Sequence, residues 1–476
     1  MFCPKPELEF SPGSGLDERR GLWQDRPNLP ESWPFLRKRP CGLAICLRSD
    51  TIPWNLSRKG KLRMKSKFVG VSIRRSLLVI PIACCAFGLS VPSQGQESNS
   101  LGHFMFAWTG DLDHKGNDFL AVIDADPASA SYGKLITTVV TDQPTMQIHH
   151  TEYVMPASGM LFANDHLAGR TFIFDVRNPL SPKIVTSFTD MAGYMHPHSY
   201  LRLPNGHVLA SFQHSHHDMV EGQMGGSGGL VEIDDQGKVI RSASSSDPAF
   251  PGALLTPYSL AVLPEIDRVV STNSSMHMDN VFSGVTYQVW RLSDLKLLKT
   301  ANLDIGDNHY GHVSPEEPRI GPDGAVYVQT LGCGIERISN IDKEEPSSKL
   351  VYNFPGSFCG VPTIVGHYLI QSAPVTHGLI VVDIANGNRP VEVSRLKLSD
   401  SFSPHWTSWD EKTQRVVVTG SEPRLYLLKL DQATGALTLD DTFHDAEGKT
   451  GFNFAHRDWP HGWKGSGLPH GVVFSR

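Results

Sequence analysis

The chain has 476 residues, a formal net charge of −6 and 40% hydrophobic residues, which is enough apolar material to bury a large core. The charge is unevenly divided, because residues 1–96 carry a net charge of +9 and the remainder carries −15. An acidic domain without a basic stripe argues against nucleic acid or an anionic membrane surface as a partner.

The first 96 residues are predicted to lie outside the globular domain. Residues 1–63 are rich in Pro and Arg and show no period, which indicates a disordered segment or an extension upstream of the true start. Residues 64–96 have the layout of a secretory signal peptide: a basic stretch, an apolar run of about a dozen residues, and VPSQGQES. The run is too short to span a membrane stably, so we expect a periplasmic or secreted protein.

Two details of this leader leave alternatives open. Arg74 and Arg75 weakly resemble a twin-arginine signal. A lipid anchor on Cys84 or Cys85 is the less favoured alternative, because neither cysteine has a good lipobox.

From residue 97 to residue 476 we predict one all-β domain, a seven-bladed β-propeller. A pattern of apolar run, turn and second apolar run recurs with starts 44 to 58 residues apart, the span of one four-stranded blade. Each turn is rich in Asp, Asn, Pro or Gly, as in a β-hairpin. The seven copies are 119–140, 171–188, 229–243, 287–303, 335–354, 379–398 and 425–443.

Each hairpin is preceded by two further short strands, so every blade can be written as strands A to D from the axis outward. A shared register places a Pro six residues after the residue that we take as the first of strand A. In four blocks this spacing identifies His150, His198, Tyr258 and Glu316. Two later blocks share only the beginning of the pattern and give His405 and His470. In the remaining block the residue lies near Cys359. The last strand, which has no hairpin after it, is expected to join the first blade and close the ring.

The four histidines of this layer, His150, His198, His405 and His470, form the candidate metal site. Strand A lines the channel, so equivalent side chains from different blades can converge on one ion, with imidazole nitrogens about 2.0–2.1 Å from it. Copper is favoured on affinity grounds, with iron and zinc as alternatives. His149 and Glu316 are the candidate proton carriers.

One end of the ring is expected to hold more histidines. The predicted B–C loops contain His166, HSHHD (214–218), MHMDN (276–280) and His377. The Met and His side chains of 276–278 would suit copper. His114, His312 and His444, by contrast, are expected to be ordinary loop residues.

Cysteine usage excludes a disulfide framework, since only Cys333 and Cys359 lie beyond the leader. Two buried thiols are the favoured interpretation, and a single bridge across blades in an oxidising compartment is the alternative. The chain also has no P-loop, no GxGxxG between a strand and a helix, and no HExxH motif.

Several segments resemble the selenium-binding protein family, which includes the bacterial methanethiol oxidases. They are FLAVIDADPASASYG (119–133), the following His149-His150 pair, HPHSYLRLPNG (196–206) and the tail LPHGVVF (468–474). The resemblance implies a copper-dependent oxidase that converts a small thiol and dioxygen into aldehyde, sulfide and peroxide. Its histidines would correspond to His149, His150, His198 and His470, with His456 as the less favoured choice for the last.

Two departures from the family pattern matter. The family's Cys-rich segment after the His pair is replaced by TEYVMPASG (151–159), which argues against selenium binding. His405 occupies a place where the family lacks histidine. The sequence therefore favours an exported, copper-dependent oxidase of a small thiol such as methanethiol. The alternative is a non-catalytic exported propeller that binds a metal or a partner.

Overall fold

The computed structural model describes residues 102–216, 225–277, 281–304, 314–445 and 447–476. The predicted extension 1–63 and signal peptide 64–96 lie outside this part of the chain, so the predictions about them stay predictions. Across the described ranges, no helix has the length and apolarity needed to cross a membrane.

The described chain is built from β-strands. The first three are β1 (Phe104–Asp111), β2 (Asn117–Asp124) and β3 (Leu135–Pro144). Blade 1 contains β4 (Ile148–Thr151), β5 (Met160–Asp165), β6 (Arg170–Asp175) and β7 (Lys183–Phe188). Blade 2 contains β8 (Tyr194–Arg202), β9 (Val208–Ser215), β10 (Gly226–Ile233) and β11 (Val239–Ser244). Blade 3 contains β12 (Pro257–Leu263), β13 (Arg268–Asn273), β14 (Thr286–Arg291) and β15 (Leu297–Asn302).

The second half of the chain continues the same pattern. Blade 4 contains β16 (Pro315–Ile320), β17 (Val326–Thr330), β18 (Gly334–Ser339) and β19 (Ser347–Asn353). Blade 5 contains β20 (Thr363–Val365), β21 (Tyr368–Ala373), β22 (Gly378–Asp383) and β23 (Val391–Lys397). Blade 6 contains β24 (Pro404–Asp410), β25 (Arg415–Gly420), β26 (Arg424–Asp431) and β27 (Ala436–Leu439).

The remaining elements are short, apart from the last strand. They are β28 (Phe452–Asn453), which pairs with β26, the hairpin β29 (Arg457–Asp458) and β30 (Lys464–Gly465), and β31 (Gly467–Phe474). Single turns of 3₁₀-helix, Pro264–Ile266 and Pro374–Thr376, follow β12 and β21. The strand β31 pairs with β1, so that β31, β1, β2 and β3 form the closing blade.

These sheets form a seven-bladed propeller, as the sequence predicts. All seven predicted hairpins coincide with the two outer strands of a blade, and the predicted closure by the C-terminal strand is confirmed in the register Met105↔Phe474. The inner strands β31, β4, β8, β12, β16, β20 and β24 contact one another in that order, and β24 returns to β31. The inner strands therefore surround one axis.

Seven apolar clusters hold the blades together, one at each junction between neighbouring blades. Successive side chains of a strand point to opposite faces of its sheet, and each blade is covered on both faces. In β1, for example, Phe106 packs toward blade 1 while Met105 and Ala107 pack toward blade 6. Inner and middle strands therefore read as nearly continuous apolar runs, whereas outer strands such as β7 and β23 are half-exposed.

Cys333 and Cys359 form a disulfide, with an S–S distance of 2.08 Å. The favoured interpretation of two buried thiols was wrong, and the alternative of one bridge is what the structure contains. The bridge joins the turn between β17 and β18 of blade 4 to the segment that leads into blade 5. Cys359 also accepts a hydrogen bond from the side chain of Gln329 through its carbonyl oxygen (2.5 Å). Its neighbour Gly360 lies directly against His405, so the bridge fixes a segment beside the candidate site.

Candidate metal centre

A β-bulge marks the place where the inner strands carry their candidate site residues. In β4 the register shifts so that His149 and His150 together face Asn164 of β5. In β8 the same shift leaves His198 and Ser199 as the bulged pair. A bulge changes the direction of the side chains at that point. It explains how two consecutive residues, His149 and His150, both lie among the axial histidines.

The bulges correct the predicted register. The pair in β12 is Tyr258-Ser259, the pair in β16 is Glu316-Glu317, and in β24 the extra residue is His405. His149, rather than His150, is therefore the counterpart of His198. The histidines also lie inside their strands and not at the first residue, because β4 begins at Ile148, β8 at Tyr194, β24 at Pro404 and β31 at Gly467. In blade 5 the inner strand begins at Thr363, after Cys359.

Polar side chains of the second strands fix the bulged backbone. The N–H of His150 donates to Oδ1 of Asn164 (2.8 Å), and the N–H of Ser199 donates to Oγ of Ser211 (3.1 Å). These bonds replace ladder hydrogen bonds that a bulge removes. The amide nitrogen of Asn164 donates in turn to the carbonyl oxygen of His198 (3.2 Å), which ties blade 1 to blade 2.

Five imidazoles meet at the axis. The rings of His149 and His150 are stacked with their centroids 4.0 Å apart, and the Nε2 atoms of His149 and His198 are 2.9 Å apart. The His470 ring lies 4.7 Å from that of His149 and 4.8 Å from that of His405. His405 is more peripheral, with its ring 6.5 Å from that of His149.

Two groups of side chains in this cluster have the spacing of metal ligands. One group is His149, His150 and His470, and the other is His150, His198 and Glu317; within each, the potential ligand atoms lie within 4.8 Å of one another. Imidazole nitrogens bind metal ions at about 2.0–2.1 Å. Small side-chain movements would therefore let either group share one ion.

Unpaired nitrogens support this interpretation. Among the described residues, Nε2 of His150 and Nδ1 of His470 are buried and have no hydrogen-bond partner. A buried polar atom without a partner is costly, and a bound cation would satisfy both nitrogens. The donor set therefore fits a metal ion with imidazole preference, such as copper, zinc or iron.

The electrostatic environment keeps these rings neutral. Burial, reinforced by the neighbouring imidazoles, holds the pKa of His149, His150, His198 and His470 well below the usual range. Burial lowers the pKa of His405 to about 4. Neutral imidazole is the form that binds metal ions, so no proton has to be displaced at neutral pH.

The hydroxyl of Ser199 orients two of the rings. Its Oγ lies 3.2 Å from Nδ1 of His150 and 3.0 Å from Nδ1 of His198. Both Nε2 atoms are consequently turned toward the axis. Hydrogen bonds of this kind fix the tautomer and direction of metal-binding histidines.

A buried carboxylate, Glu317, borders the cluster. Its Oε2 accepts hydrogen bonds from the hydroxyls of Tyr153 and Ser259 (2.9 Å for Ser259) and from Nη1 of Arg319 (3.2 Å). Its Oε1 lies 3.7 Å from Nδ1 of His150. The Arg319 guanidinium also lies over the Tyr153 ring, 3.9 Å from the ring centroid. This network holds one negative charge next to the imidazoles.

Glu316, the predicted proton carrier, directly precedes Glu317 in the bulge of β16. It accepts a hydrogen bond from Nε2 of Gln329 (3.3 Å) and interacts with the hydroxyl of Tyr258, whose ring packs 3.8 Å from the His198 ring. Burial raises the pKa of Glu316 well above its usual range, and Glu317 adds to the effect. Burial therefore favours the protonated form of Glu316, which connects to the cluster through Tyr258.

Of the other histidines singled out in the sequence, some lie near the axial cluster and others lie away from it. His166 and His214 are buried near the axial cluster, and His277 lies exposed beyond them. His377 contacts the Phe402 carbonyl instead. His456 is exposed, whereas His470 lies among the axial rings. The rest of HSHHD and MHMDN, from 217 and 278 onward, and His312 lie outside the described residues.

Sequence reasoning missed Ser199, Glu317, Tyr153 and Trp406. Trp406 stacks on Tyr153 (ring centroids 4.8 Å apart) and lies 5.2 Å from the His150 ring. The sequence did contain a signal for three of them, because Ser199, Glu317 and Trp406 each directly follow a residue that was predicted to begin a strand A. Recognition of a bulge would have added the first two residues to the site.

Comparisons with known proteins find partial sequence similarity to two relatives. No family model matches the chain. A methanethiol oxidase from Hyphomicrobium sp is 26% identical over 230 residues, which is 44% of this chain and 49% of the relative. A methanethiol oxidase from Ruegeria pomeroyi is 30% identical over 154 residues, 31% of this chain and 32% of the relative. The chain thus matches about half the length of the first relative and about a third of the second.

Solved structures support the fold. A hypothetical selenium-binding protein from Sulfolobus tokodaii superposes with a TM-score of 0.62 at 16% identity, covering 78% of this chain and 93% of that one. A periplasmic gluconolactonase from Pseudomonas aeruginosa gives a TM-score of 0.53 at 12% identity, covering 79% and 99%.

The fold and the site define a seven-bladed propeller with a buried imidazole cluster that could hold a metal ion. The predicted resemblance is confirmed at low identity: parts of the chain are similar in sequence to two methanethiol oxidases, and its fold is similar to that of a selenium-binding protein.

Proposed function

We propose that this protein is an exported copper-dependent oxidase that acts on a small thiol such as methanethiol. The observation that carries the proposal is the convergence of buried, neutral imidazoles with unpaired nitrogens on the propeller axis. The similarity to two methanethiol oxidases supports the choice of a thiol and of an oxidoreductase.

The proposed ligands are drawn from the axial imidazoles. His150, His198 and His470 are common to the prediction from register and to the family resemblance. The 2.9 Å separation of the Nε2 atoms of His149 and His198 favours His149 as a ligand over its predicted role as a proton carrier. His405, beside His470, is the remaining candidate. Copper is favoured over iron and zinc because imidazole sites bind divalent copper most tightly in the first transition series.

The proposed reaction consumes methanethiol, dioxygen and water and yields formaldehyde, hydrogen sulfide and hydrogen peroxide. The thiol carbon is oxidised by two electrons and dioxygen is reduced by two. Bound copper would supply the electron transfer between the thiolate and dioxygen.

Side chains of the protein would supply a proton, exclude water and favour a cation at the axis. Burial favours the protonated form of Glu316, which would donate a proton through Tyr258 toward the imidazoles, as general acid catalysis requires. Trp406 and Tyr153 form an aromatic wall on one side of His150 that excludes water. The carboxylate of Glu317 places a negative charge next to His150, which favours a cation at the axis.

Export is supported by the disulfide, since such bonds persist in oxidising compartments. The basic and apolar layout of residues 64–96 points the same way. We therefore place the proposed oxidase in the periplasm or outside the cell.

Oxygen uptake tests the proposal. Purified copper-loaded protein should consume dioxygen when methanethiol is added and release sulfide and peroxide in equal amounts. His198→Ala should abolish uptake. His456→Ala, which removes an exposed histidine, should leave uptake unchanged and serves as the matched control. Uptake that is absent in the copper-loaded wild type, or equal in His198→Ala, would contradict the proposal.

A second function is favoured by the density of the cluster. Five imidazoles and a nearby carboxylate can saturate a metal ion, and a site without an open position is structural or storage in character. The chain would then be a non-catalytic exported propeller that holds a metal or presents its loops to a partner. Such a protein would exchange its metal with a chelator and consume no dioxygen with any small thiol.

A further inference from the structure

A row of four more histidines leads away from the axial cluster. The ring centroids are 5.3 Å apart from His198 to His166 and 5.8 Å from His166 to His196. They are 5.7 Å apart from His196 to His214 and 6.1 Å from His214 to His277. Each ring therefore neighbours the next, and the row, which we call the histidine track (His166, His196, His214, His277), is continuous with the candidate metal centre.

The track runs from the interior to the surface. His166 and His214 are each only 4% exposed, His196 is half-buried and His277 is exposed. The four residues come from three blades: His166 follows β5, His196 lies in β8, His214 lies in β9 and His277 follows β13. Such a gradient of exposure connects the surface of the protein to the candidate metal centre.

The spacing fits metal ions shared between neighbouring rings. With a metal–nitrogen distance of about 2.0–2.1 Å, an imidazole centroid lies about 3.2 Å from its ion. Two rings that bind one ion with a nitrogen–metal–nitrogen angle between about 100° and 180° therefore have centroids about 5 to 6.5 Å apart. All consecutive pairs of the track fall in this range.

Two nitrogens of the track are available as ligands. Nδ1 of His166 and Nδ1 of His214 are buried and have no hydrogen-bond partner among the described residues. The His166 ring makes its hydrogen bond to the Pro197 carbonyl, and this bond must use Nε2 because Nδ1 is unpaired. The bond fixes the tautomer that leaves the Nδ1 lone pair free, as in metal-binding histidines.

Two methionines neighbour histidines of the track, one across a strand pair and one in sequence. Met195 precedes His196 and pairs with His214 across β8 and β9. Met276 precedes His277 and is partly exposed. Thioether sulfur is a soft ligand, and together with imidazole it suits monovalent copper.

We propose that the histidine track is a second metal-binding site, which takes up monovalent copper at His277 and passes it inward to the axial centre. The inference rests on the proposed function, since it assumes that the axial centre receives copper. The track histidines do not form a group as tight as the axial ones. Loose, consecutive binding is what transit requires, because an ion must bind well enough to enter and weakly enough to leave.

Copper uptake by the full chain tests this inference. The probe is monovalent copper delivered from a coloured weak chelator, so that both the amount bound and the rate are read from the chelator's absorbance. His214→Ala and His277→Ala alter the track, His150→Ala alters the axial centre, and His456→Ala is the control. His277 is exposed, so its variant keeps the test decisive if His214→Ala fails to fold.

The inference predicts two classes of bound copper in the wild type and in His456→Ala. One class should be lost in His214→Ala, and the other in His150→Ala. Filling of the axial class should be slower by about tenfold or more in His214→Ala and His277→Ala, because the local supply of ions is removed.

The remaining outcomes separate this inference from the proposed function. A single class of copper that His150→Ala removes, and that fills equally fast in both track variants, overturns the track and leaves the proposed function standing. If no class is sensitive to His150→Ala, the proposed function fails. In that case a class lost in His214→Ala still supports a second site, and its absence overturns that site as well.

Discussion

The Nε2 atoms of His149 and His198 lie 2.9 Å apart, although the two residues are 49 positions apart in sequence and on neighbouring blades. At this distance either one nitrogen donates its hydrogen to the other, or both lone pairs point at a shared cation. Burial disfavours a charged ring at both positions. The pair is therefore suited to hold a metal ion between two blades.

The Ser199 hydroxyl should be required for tight metal binding. It contacts Nδ1 of both His150 and His198, so Ser199→Ala removes the group that orients both rings. We expect copper affinity to fall by about 10- to 100-fold, measured by competition with a chelator, with little change in the far-UV circular dichroism spectrum. Ser211→Ala, which removes only the hydroxyl beneath the bulge, should weaken binding less. Unchanged affinity in Ser199→Ala would refute the orienting role.

Glu316 and Glu317 should respond differently to the same substitution. Burial favours the neutral form of Glu316, so Glu316→Gln should change the free energy of unfolding by less than about 1 kcal/mol. Glu317→Gln removes a buried carboxylate that pairs with the partly buried Arg319 guanidinium, and it should cost about 3 kcal/mol. Urea unfolding at pH 7 measures both values. Equal losses in the two variants would show that Glu316 is charged.

Much of the fold could be predicted because propeller blades repeat. The seven hairpins are marked by local turn chemistry and by apolar runs, and each lies at the outer edge of a blade. The closure through β31 followed from the presence of a last strand without its own hairpin. Both features depend on short-range pattern, which a sequence shows directly.

The site was harder to predict because it depends on register. His150, His198, His405 and His470 were placed correctly on inner strands, but a bulge adds one residue to each ladder and makes His149 the counterpart of His198. A one-residue shift cannot be read from hydrophobic alternation when both faces of the strand are buried. The Cys333–Cys359 bond likewise depends on a contact between blades that neither sequence segment reveals.

The disulfide should contribute to stability and should be present in the purified protein. The double variant Cys333→Ser, Cys359→Ser should lose about 3 kcal/mol of unfolding free energy, because the unfolded chain is no longer constrained. Reducing agent should lower the wild-type stability by a similar amount and leave the variant unchanged. If reducing agent has no effect on the wild type, the two cysteines are not bonded in the purified protein.

The Glu336 carboxyl should make stability depend on pH. It is fully buried, neither oxygen has a hydrogen-bond partner among the described residues, and burial raises its pKa from 4.5 to about 8, with Asp304 adding to the effect. Because the pKa is raised on folding, its contribution is fully present below pH 4.5 and is lost as the pH rises through 8. Between these values the unfolding free energy should fall by up to about 4 kcal/mol.

Glu336→Gln isolates this effect. The buried amide has its own cost, but that cost is the same at every pH, so the comparison concerns the slope alone. Chemical denaturation from pH 5 to pH 8.5 should show a shallower decline for the variant than for the wild type. Parallel curves would mean that Glu336 is not responsible.

The metal content of the axial centre is the most direct test of the account. Purified protein loaded with copper and passed through a desalting column should retain about one tightly held copper ion per chain by elemental analysis, because the axial imidazoles hold one ion and the histidine track binds only loosely. His150→Ala and His198→Ala should lose it, and His456→Ala should retain it. Failure of the wild type to retain copper, or retention by both axial variants, would contradict the metal centre and the oxidase proposed from it.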